Sequence, residues 1–400
     1  MIRVLMFFDG KLVPIHGGSK RLIYDIAKYL NGLPDVELTL ALRGEPYEGY
    51  ERDYSVICKR VVWLKSPSKW GVGGIINKVA ARVGVTVFQA AGMAWAMRRK
   101  LAPFVQEADV VLVNYVAWSA VLSAIVRKTK ALCITCDLMF YRRASLDGTN
   151  TWLKRFNVAT TRFFELRMLR KFSKIAVLGD YEWEILRKLN YPMKDVIHIG
   201  LPIYGTMSAV PPEGKVYDFF ELTSDAPQNV AGLKMFLDRV MPLLAPRKVK
   251  LALAGDICFC SKLDDESFFP ENCEVTRLGF IDDPAIVCAQ SRIGVSAVTG
   301  GSGIKVKTVE LALRGLPIVS SDHGIEGIPL TEDGTLNLDR ATDDEIRVRV
   351  LRWLDDSAEA NRVGEAQRIV VSEAFAPQNA LAGVVDWIRG YERQDAEKVG

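Results

Sequence analysis

Several features that define other classes of protein are missing from this sequence. No run of eighteen uncharged apolar residues occurs, which argues against a transmembrane helix. The first ten residues lack the basic region and the small-residue cleavage site of a signal peptide, so we expect a cytoplasmic protein. No G-x-G-x-x-G joins the first predicted strand to a helix, which argues against a nicotinamide-dependent dehydrogenase. Acidic D-x-D pairs in a suitable loop are also missing, and we expect no bound metal.

Cysteine is present in an odd number, seven, in a chain long enough to build a large core. This argues against a disulfide framework. Two close pairs, Cys133 with Cys136 and Cys258 with Cys260, leave a zinc or redox role open. However, residues 132–135 have the apolar character of a buried strand, and no second C-x-x-C supplies further ligands. Ordinary core cysteines are the favoured interpretation.

The composition is that of a soluble globular protein. Hydrophobic residues make up 49% of the 400 residues and charged residues 25%. The length predicts two or three domains.

Charge is unevenly distributed along the chain. Residues 1–200 contain 31 basic against 17 acidic residues, a net charge of +14, whereas residues 201–400 contain 21 against 31, a net charge of −10. Residues 54–106 contain nine basic residues and no acidic one. This segment could lie against an anionic membrane surface or form a solvated basic face around a buried helix. No nucleic-acid-binding motif accompanies the charge, so nucleic acid is not expected as a partner.

Apolar runs of four to eight residues alternate with helical patterns in both halves of the chain. This alternation is typical of parallel sheets covered by helices on both faces. The sequence therefore predicts an α/β protein with two Rossmann-like, doubly wound domains over residues 1–205 and 206–375. A further apolar-periodic helix is predicted within residues 376–400.

The segment GGSGIKVKTVELALRGLPIVSSDHGIEG, residues 300–327, carries the strongest chemical signal. Helix N-termini favour acidic side chains, yet Lys305 and Lys307 lie at the start of the predicted helix. Glycine backbone N–H groups and two ammonium groups together describe a cradle for a diphosphate. Glu310 follows on the same helix, where it could accept hydrogen bonds from ribose hydroxyls or form an exposed ion pair with Lys307.

This segment resembles the donor-site signature of group 1 glycosyltransferases with the GT-B architecture, akin to glycosyltransferase family four. The matching sub-pattern is GSGIKxKxxE, in which Ser302 stands where many members have a first glutamate. Weaker matches in the same order are the Gly17-Gly18 loop, the strand end ITCD with Cys136 replacing a histidine, and the turn LGFIDD. The resemblance implies two domains facing across a cleft, with the C-terminal helix returning to the N-terminal domain.

The resemblance also implies roles for individual residues. Asp137 and Lys305 would be catalytic, with Asp137 orienting an acceptor hydroxyl or acting as a base. His16 and Arg142 would contact acceptor or sugar. The donor would be bound by Gly17, Gly18, Phe280, Gly301, Ser302, Gly303, Ile304, Lys305, Lys307 and Glu310.

The implied function is sugar transfer from a nucleotide-diphosphate sugar, used as substrate rather than cofactor, to a glycan, lipid-linked or small-molecule acceptor in polysaccharide biosynthesis. The resemblance implies retention of configuration. Because Lys305, Lys307 and the loop amides could stabilise the leaving diphosphate, we expect no requirement for a metal ion. Two alternatives remain: a catalytically silent homologue that regulates or scaffolds a partner, and a GT-B sugar-nucleotide epimerase. The basic N-terminal half favours a cytoplasmic enzyme that associates peripherally with the inner face of the membrane.

Overall fold

The computed structural model describes residues 1–8, 10–13, 18–46, 49, 51–64, 100–114, 130–146, 152–203, 214–281, 283–301 and 303–399. The chain divides into two compact units. The first unit combines Met1–Tyr204 with Ala376–Gly400, and the second is Gly205–Phe375.

In the part of the first unit that the structure describes, seven parallel strands form a sheet in the order β3-β2-β1-β4-β5-β6-β7. Its strands are β1 Ile2–Phe8, β2 Val36–Arg43, β3 Arg60–Leu64, β4 Val110–Asn114, β5 Ala131–Ile134, β6 Lys174–Val177 and β7 Val196–His198. Its helices include Gly18–Asn31, Glu51–Ile57, Met139–Leu146, Trp152–Leu169, Asp180–Lys188, Pro377–Ala380 and Ala382–Val399.

Among the described residues of the second unit, six parallel strands form a sheet in the order β10-β9-β8-β11-β12-β13. Its strands are β8 Tyr217–Leu222, β9 Val249–Ala254, β10 Cys273–Arg277, β11 Ser291–Ser296, β12 Ile318–Ser320 and β13 Thr335–Asn337. Its helices include Pro227–Leu244, Pro284–Ala289, Val306–Leu313, Asp322–Ile325, Asp343–Asp355 and Ser357–Ala374.

Both sheets reverse their strand order at one point. In each unit the first strand lies between the second and the fourth, so the reversal falls between β1 and β4 and between β8 and β11. This is the strand order of a Rossmann-like fold, and the predicted pair of doubly wound α/β domains is confirmed. In open α/β sheets, ligands bind at the carboxyl ends of the strands at such a switch point.

Apolar strands explain why the sheets form the centres of both cores. All five residues of β4 are buried, and in β9 only Lys250 is exposed. In the second unit Phe219 of β8 meets Phe236 of the covering helix edge to face, with ring centroids 5.1 Å apart. Strands that are apolar throughout need helices on both faces of the sheet, which the alternating sequence supplies.

Helix starts follow the local chemistry of the sequence. Thr342 caps the helix Asp343–Asp355 with a reciprocal capping box to Glu345. The helix Asp180–Lys188, by contrast, has Gly179 as its N-cap and no side-chain cap.

The C-terminal helix packs within the first unit. Ala382–Val399 contacts β1 and β7. Arg389 Nε lies 2.7 Å from Asp35 Oδ2 in an exposed ion pair, and the Gly200 N–H donates to the Ala380 carbonyl just before the helix. Among the described residues no helix is both long and apolar enough to cross a membrane.

A close backbone contact sets the position of the helix Pro227–Leu244. Gly232 lies against the end of β11, and a Cβ built on it would stand 2.0 Å from the Ala297 carbonyl oxygen. That distance is far below van der Waals contact, and the obstructing atom is backbone. Only glycine allows the helix to lie this close to the loop that follows β11.

We therefore expect Gly232→Ala to lower the free energy of unfolding by about 3 kcal/mol, because the added methyl must push the helix off the sheet. Gly390→Ala is the matched control, since Gly390 is also helical and a Cβ there meets nothing within 4 Å. The control should be neutral or stabilise by up to about 1 kcal/mol through helix propensity. Urea denaturation followed by circular dichroism measures both, and equal effects would contradict the packing argument.

Candidate active site

The glycine-rich loop follows β11 at the switch point of the second unit. Gly301 and Gly303 have φ of +107° and +79°, values that side chains with a Cβ rarely adopt. Lys305 is the N-cap of the helix Val306–Leu313 and gives no side-chain cap, and the first turn contains no acidic residue. The first N–H groups of this helix are therefore available to an anion.

The Lys305 ammonium lies beside the loop. Its Nζ donates to the Gly303 carbonyl at 2.6 Å. Burial raises the pKa of the nearby Glu326 carboxyl, while the charges of Lys305 and His323 lower it. His323 Nδ1 lies 4.0 Å from Glu326 Oε2, a buried atom for which the described residues offer no hydrogen-bond partner. His323 and Lys305 thus flank the Glu326 carboxyl next to the loop.

Buried hydroxyl groups hold the loop to the neighbouring strand and helix. Ser296 Oγ lies 2.6 Å from Thr308 Oγ1, which donates at 2.7 Å to the Gly324 carbonyl. Ser321 Oγ accepts from the Val298 N–H and donates to the Val298 carbonyl. Hydrogen-bonded hydroxyls buried among apolar residues resist displacement, so the loop is anchored at both ends.

Lys307 makes different contacts from Lys305. Its Nζ lies 2.8 Å from Thr223 Oγ1 and 3.4 Å from both Glu221 Oε1 and Asn229 Oδ1. Glu221 is fully buried at the end of β8, and its Oε2 has no hydrogen-bond partner among the described residues. Lys307 therefore reaches from the helix after β11 to the end of β8, across the switch point.

Burial dominates the ionisation of this pair. It raises the pKa of Glu221 to about 7, although the Lys307 charge opposes the rise. It also lowers the pKa of Lys307, although Glu221 opposes the fall. Each group is the main counterion of the other, so removing one leaves the other buried without compensation.

Glu310 and Phe280 are two further predicted donor-site residues of the second unit that the structure describes. Burial raises the pKa of the Cys288 thiol to about 12, and the half-buried Glu310 adds to the rise, which places Glu310 beside the helix Pro284–Ala289. Phe280 follows β10 and is 71% exposed. Its ring stands 5.5 Å from that of Phe259, which is 68% exposed.

In the first unit, Asp137 follows β5 within a group of carboxyl side chains. Asp137 Oδ2 lies 3.2 Å from Arg142 Nη1. Glu165 is buried and accepts from the first N–H groups of the helix Met139–Leu146. Burial raises the pKa of Glu182 to about 8, and the charge of Asp137 adds to the rise. Cys136, next to Asp137, has a φ of +58°.

Some sequence-predicted positions lie outside the described residues. They are His16, Gly17 and Ser302, together with most of the basic segment 54–106. Gly18 opens the helix Gly18–Asn31 after β1, and Ile304 lies half-buried between Gly303 and Lys305.

Sequence reasoning missed Glu221, Thr223 and Asn229 as neighbours of Lys307. One signal was available, because Glu221 is an acidic residue inside an otherwise apolar strand. Its partner could not be identified from the sequence, since Lys307 lies 86 residues away.

The cysteines are all free thiols. Within the described ranges, no three histidine, cysteine or acidic side chains are grouped closely enough to hold a metal ion.

Comparison with solved structures identifies the fold. The chain is similar to Anabaena HepE in complex with UDP, at 14% identity and a TM-score of 0.66, covering 100% of this chain and 99% of HepE. It is similar to sucrose-phosphate synthase from Thermosynechococcus elongatus, at 14% identity and a TM-score of 0.70, covering 98% and 100%. A third neighbour is a mutant of S. aureus TarM in complex with Fondaparinux, alpha-GlcNAc-glycerol and UDP, at 8% identity and a TM-score of 0.69, covering 97% and 100%. The fold is that of GT-B glycosyltransferases.

A protein-family model also matches part of the chain. Residues 222–356 match the model described as glycosyl transferases group 1, so the second unit carries a group 1 glycosyltransferase domain. The resemblance stated from the sequence is confirmed for this domain and for the fold. No curated protein sequence matches the chain.

The pairing of Glu221 with Lys307 should make the stability of the protein depend on pH. Because the folded-state pKa of Glu221 is raised from 4.5 to about 7, its contribution to stability is full below pH 4.5 and is lost as pH rises through 7. Lys307→Met removes the charge that limits this loss. We expect the variant to lose about 1 kcal/mol more stability at pH 8 than at pH 5, where Glu221 is protonated in both proteins, because one pH unit above the wild-type pKa corresponds to about 1.4 kcal/mol.

The matched control is the double variant Glu221→Gln/Lys307→Met, which removes both charges. Its own stability should change far less between pH 5 and pH 8 than that of the wild type or of Lys307→Met, because both of these keep Glu221. Urea denaturation at both pH values measures the difference. A loss of equal size at both pH values would show that Lys307 contributes through packing alone.

Proposed function

We propose that the protein transfers a sugar from a nucleotide-diphosphate sugar to an acceptor, with the donor bound by the second unit. One observation carries this proposal. At the β8–β11 switch point, the loop containing Gly301 and Gly303 leads into the uncapped N-terminus of Val306–Leu313, with the Lys305 ammonium beside it. Backbone N–H groups and a cation at a helix N-terminus form a site for a phosphate group.

The other side chains complete a nucleotide site in this proposal. Lys305 exchanges its bond to the Gly303 carbonyl for a diphosphate oxygen. Glu310, on the same helix, accepts from the ribose hydroxyls, and Phe280 lies near the base. The Lys307 ammonium adds positive charge next to the proposed site. It lies between Thr223, just after β8, and Asn229, in the first turn of the helix Pro227–Leu244.

UDP is the nucleotide that we propose as the leaving group. Support comes from two of the neighbours, HepE and TarM, which were both solved with UDP. Their likeness to this chain covers almost the full length of each protein.

The reaction needs little from the protein beyond positioning and charge. As the anomeric C–O bond breaks, the sugar gains oxocarbenium character and the leaving diphosphate gains negative charge. Lys305 and the loop N–H groups stabilise that charge where it develops, which is the largest usual contribution to catalysis. In this mechanism no metal ion is required, and the configuration of the sugar is retained.

The acceptor belongs to the first unit in this proposal. Asp137, at the carboxyl end of β5, orients the acceptor hydroxyl or removes its proton, and Arg142 holds the carboxylate in place. In this proposal Gly17 and Gly18 contact the donor, and His16 contacts the acceptor or the sugar. We propose a glycan or lipid-linked acceptor, a role in polysaccharide biosynthesis, and a cytoplasmic protein at the membrane surface.

Two departures from the family pattern favour a second candidate function. Cys136 replaces a histidine and Ser302 replaces a glutamate. A homologue that binds the donor and regulates a partner without catalysing transfer would tolerate both replacements.

The first test is thermal stabilisation by a panel of nucleotide diphosphates and nucleotide sugars. A ligand at 100 times its Kd that binds only the folded state adds about 2.7 kcal/mol to the free energy of unfolding. We expect stabilisation by UDP or a UDP-sugar in the wild type, and its loss in Lys305→Ala and Glu310→Ala.

The matched control is Lys250→Ala, which removes an exposed lysine near the amino end of β9, opposite the proposed site. This variant should be stabilised like the wild type. Stabilisation without turnover of any acceptor would favour the silent homologue. No stabilisation by any nucleotide would contradict the donor site itself.

A further inference from the structure

The helix Trp152–Leu169 presents three large aromatic side chains to solvent. Trp152 is 77% exposed, Phe156 57% and Phe163 63%. Their spacings of four and seven residues place them on one face of the helix. Aromatic side chains this exposed, grouped on one helix face, mark an interaction surface.

Basic side chains border the aromatic ones. Arg155 and Arg162 flank them on one side and Arg167 on the other, and all three are exposed. We call Trp152, Phe156, Phe163 and these three arginines the aromatic-basic face.

The one carboxylate of this helix does not reduce the positive charge of the face. Glu165 lies on the opposite side with Thr161 and Leu169, all three at most 1% exposed. Its two oxygens accept the Met139 and Phe140 N–H groups at 2.9 and 3.0 Å. The Glu165 carboxylate therefore caps the start of the helix Met139–Leu146 inside the unit and does not lie on the aromatic-basic face.

We propose that the aromatic-basic face docks the first unit onto an anionic lipid bilayer. Tryptophan and phenylalanine partition into the boundary between headgroups and acyl chains. Arginines beside them pair with lipid phosphates, and their bidentate geometry suits that group. This surface lies outside the basic segment 54–106, and the proposal stands on exposure and charge without needing the proposed transfer reaction.

The test uses the full-length protein and sedimentation with vesicles. Wild type should bind vesicles of phosphatidylcholine with added phosphatidylglycerol at least ~10-fold more tightly than phosphatidylcholine alone, and salt should weaken the binding. Trp152→Ser/Phe156→Ser/Phe163→Ser should reduce binding ~10-fold or more. Arg155→Gln/Arg162→Gln/Arg167→Gln should reduce it roughly 100-fold, at about fivefold for each basic residue.

A matched control removes three exposed apolar side chains of the second unit. Ile286→Ser/Val348→Ser/Ile369→Ser changes residues that are 63%, 57% and 51% exposed, and its vesicle binding should equal that of the wild type. Brominated lipids should quench tryptophan fluorescence in the wild type and less in Trp152→Phe, which reports insertion directly.

Four results would overturn the proposal. Wild type could fail to bind anionic vesicles, or the aromatic and arginine variants could bind them as tightly as the wild type. The aromatic variant could instead melt at a markedly lower temperature with unchanged vesicle binding, which would show that the face covers the protein's own chain. Binding to a soluble protein or glycan in place of vesicles would likewise exclude the membrane as the occupant.

Discussion

The active-site end of the second unit depends on how closely the backbone packs at the β8–β11 switch point. Gly232 lets the helix Pro227–Leu244 lie against Ala297 with no room for a methyl group. The same closeness lets Lys307, on the helix after β11, reach Thr223 and Asn229 on the far side of the switch point. A wider gap would leave the ammonium short of these oxygens and Glu221 without its counterion.

This arrangement separates two lysines that look equivalent in sequence. Lys305 is the N-cap of its helix and lies against the Gly303 carbonyl, in a position to meet a ligand. Lys307, two residues later, points to the other side of the helix start, and its side chain is 14% exposed. In the proposed donor site, Lys305 contacts the diphosphate, and Lys307 holds a second positive charge at the end of β8.

Local patterns were enough to predict the elements but not the long-range pairings. Apolar runs indicated the strands, and the glycine loop with its two lysines indicated the candidate site, because both depend on neighbours in sequence. The sequence left open an ion pair between Lys307 and Glu310, three residues away, whereas the structure pairs Lys307 with Glu221 from another strand. In the first unit, the basic segment drew attention to residues 54–106, while the exposed aromatics of Trp152–Leu169 are visible only once the buried face of that helix is known.

The most direct test of the donor site is a crystal structure of the protein with UDP bound. The account predicts the diphosphate at the Gly301–Lys305 loop, with a phosphate oxygen within about 3 Å of Lys305 Nζ and the ribose hydroxyls on Glu310. It also predicts that Lys307 remains paired with Glu221. A diphosphate bound away from this loop, or Lys305 still bonded to the Gly303 carbonyl with UDP present, would contradict it.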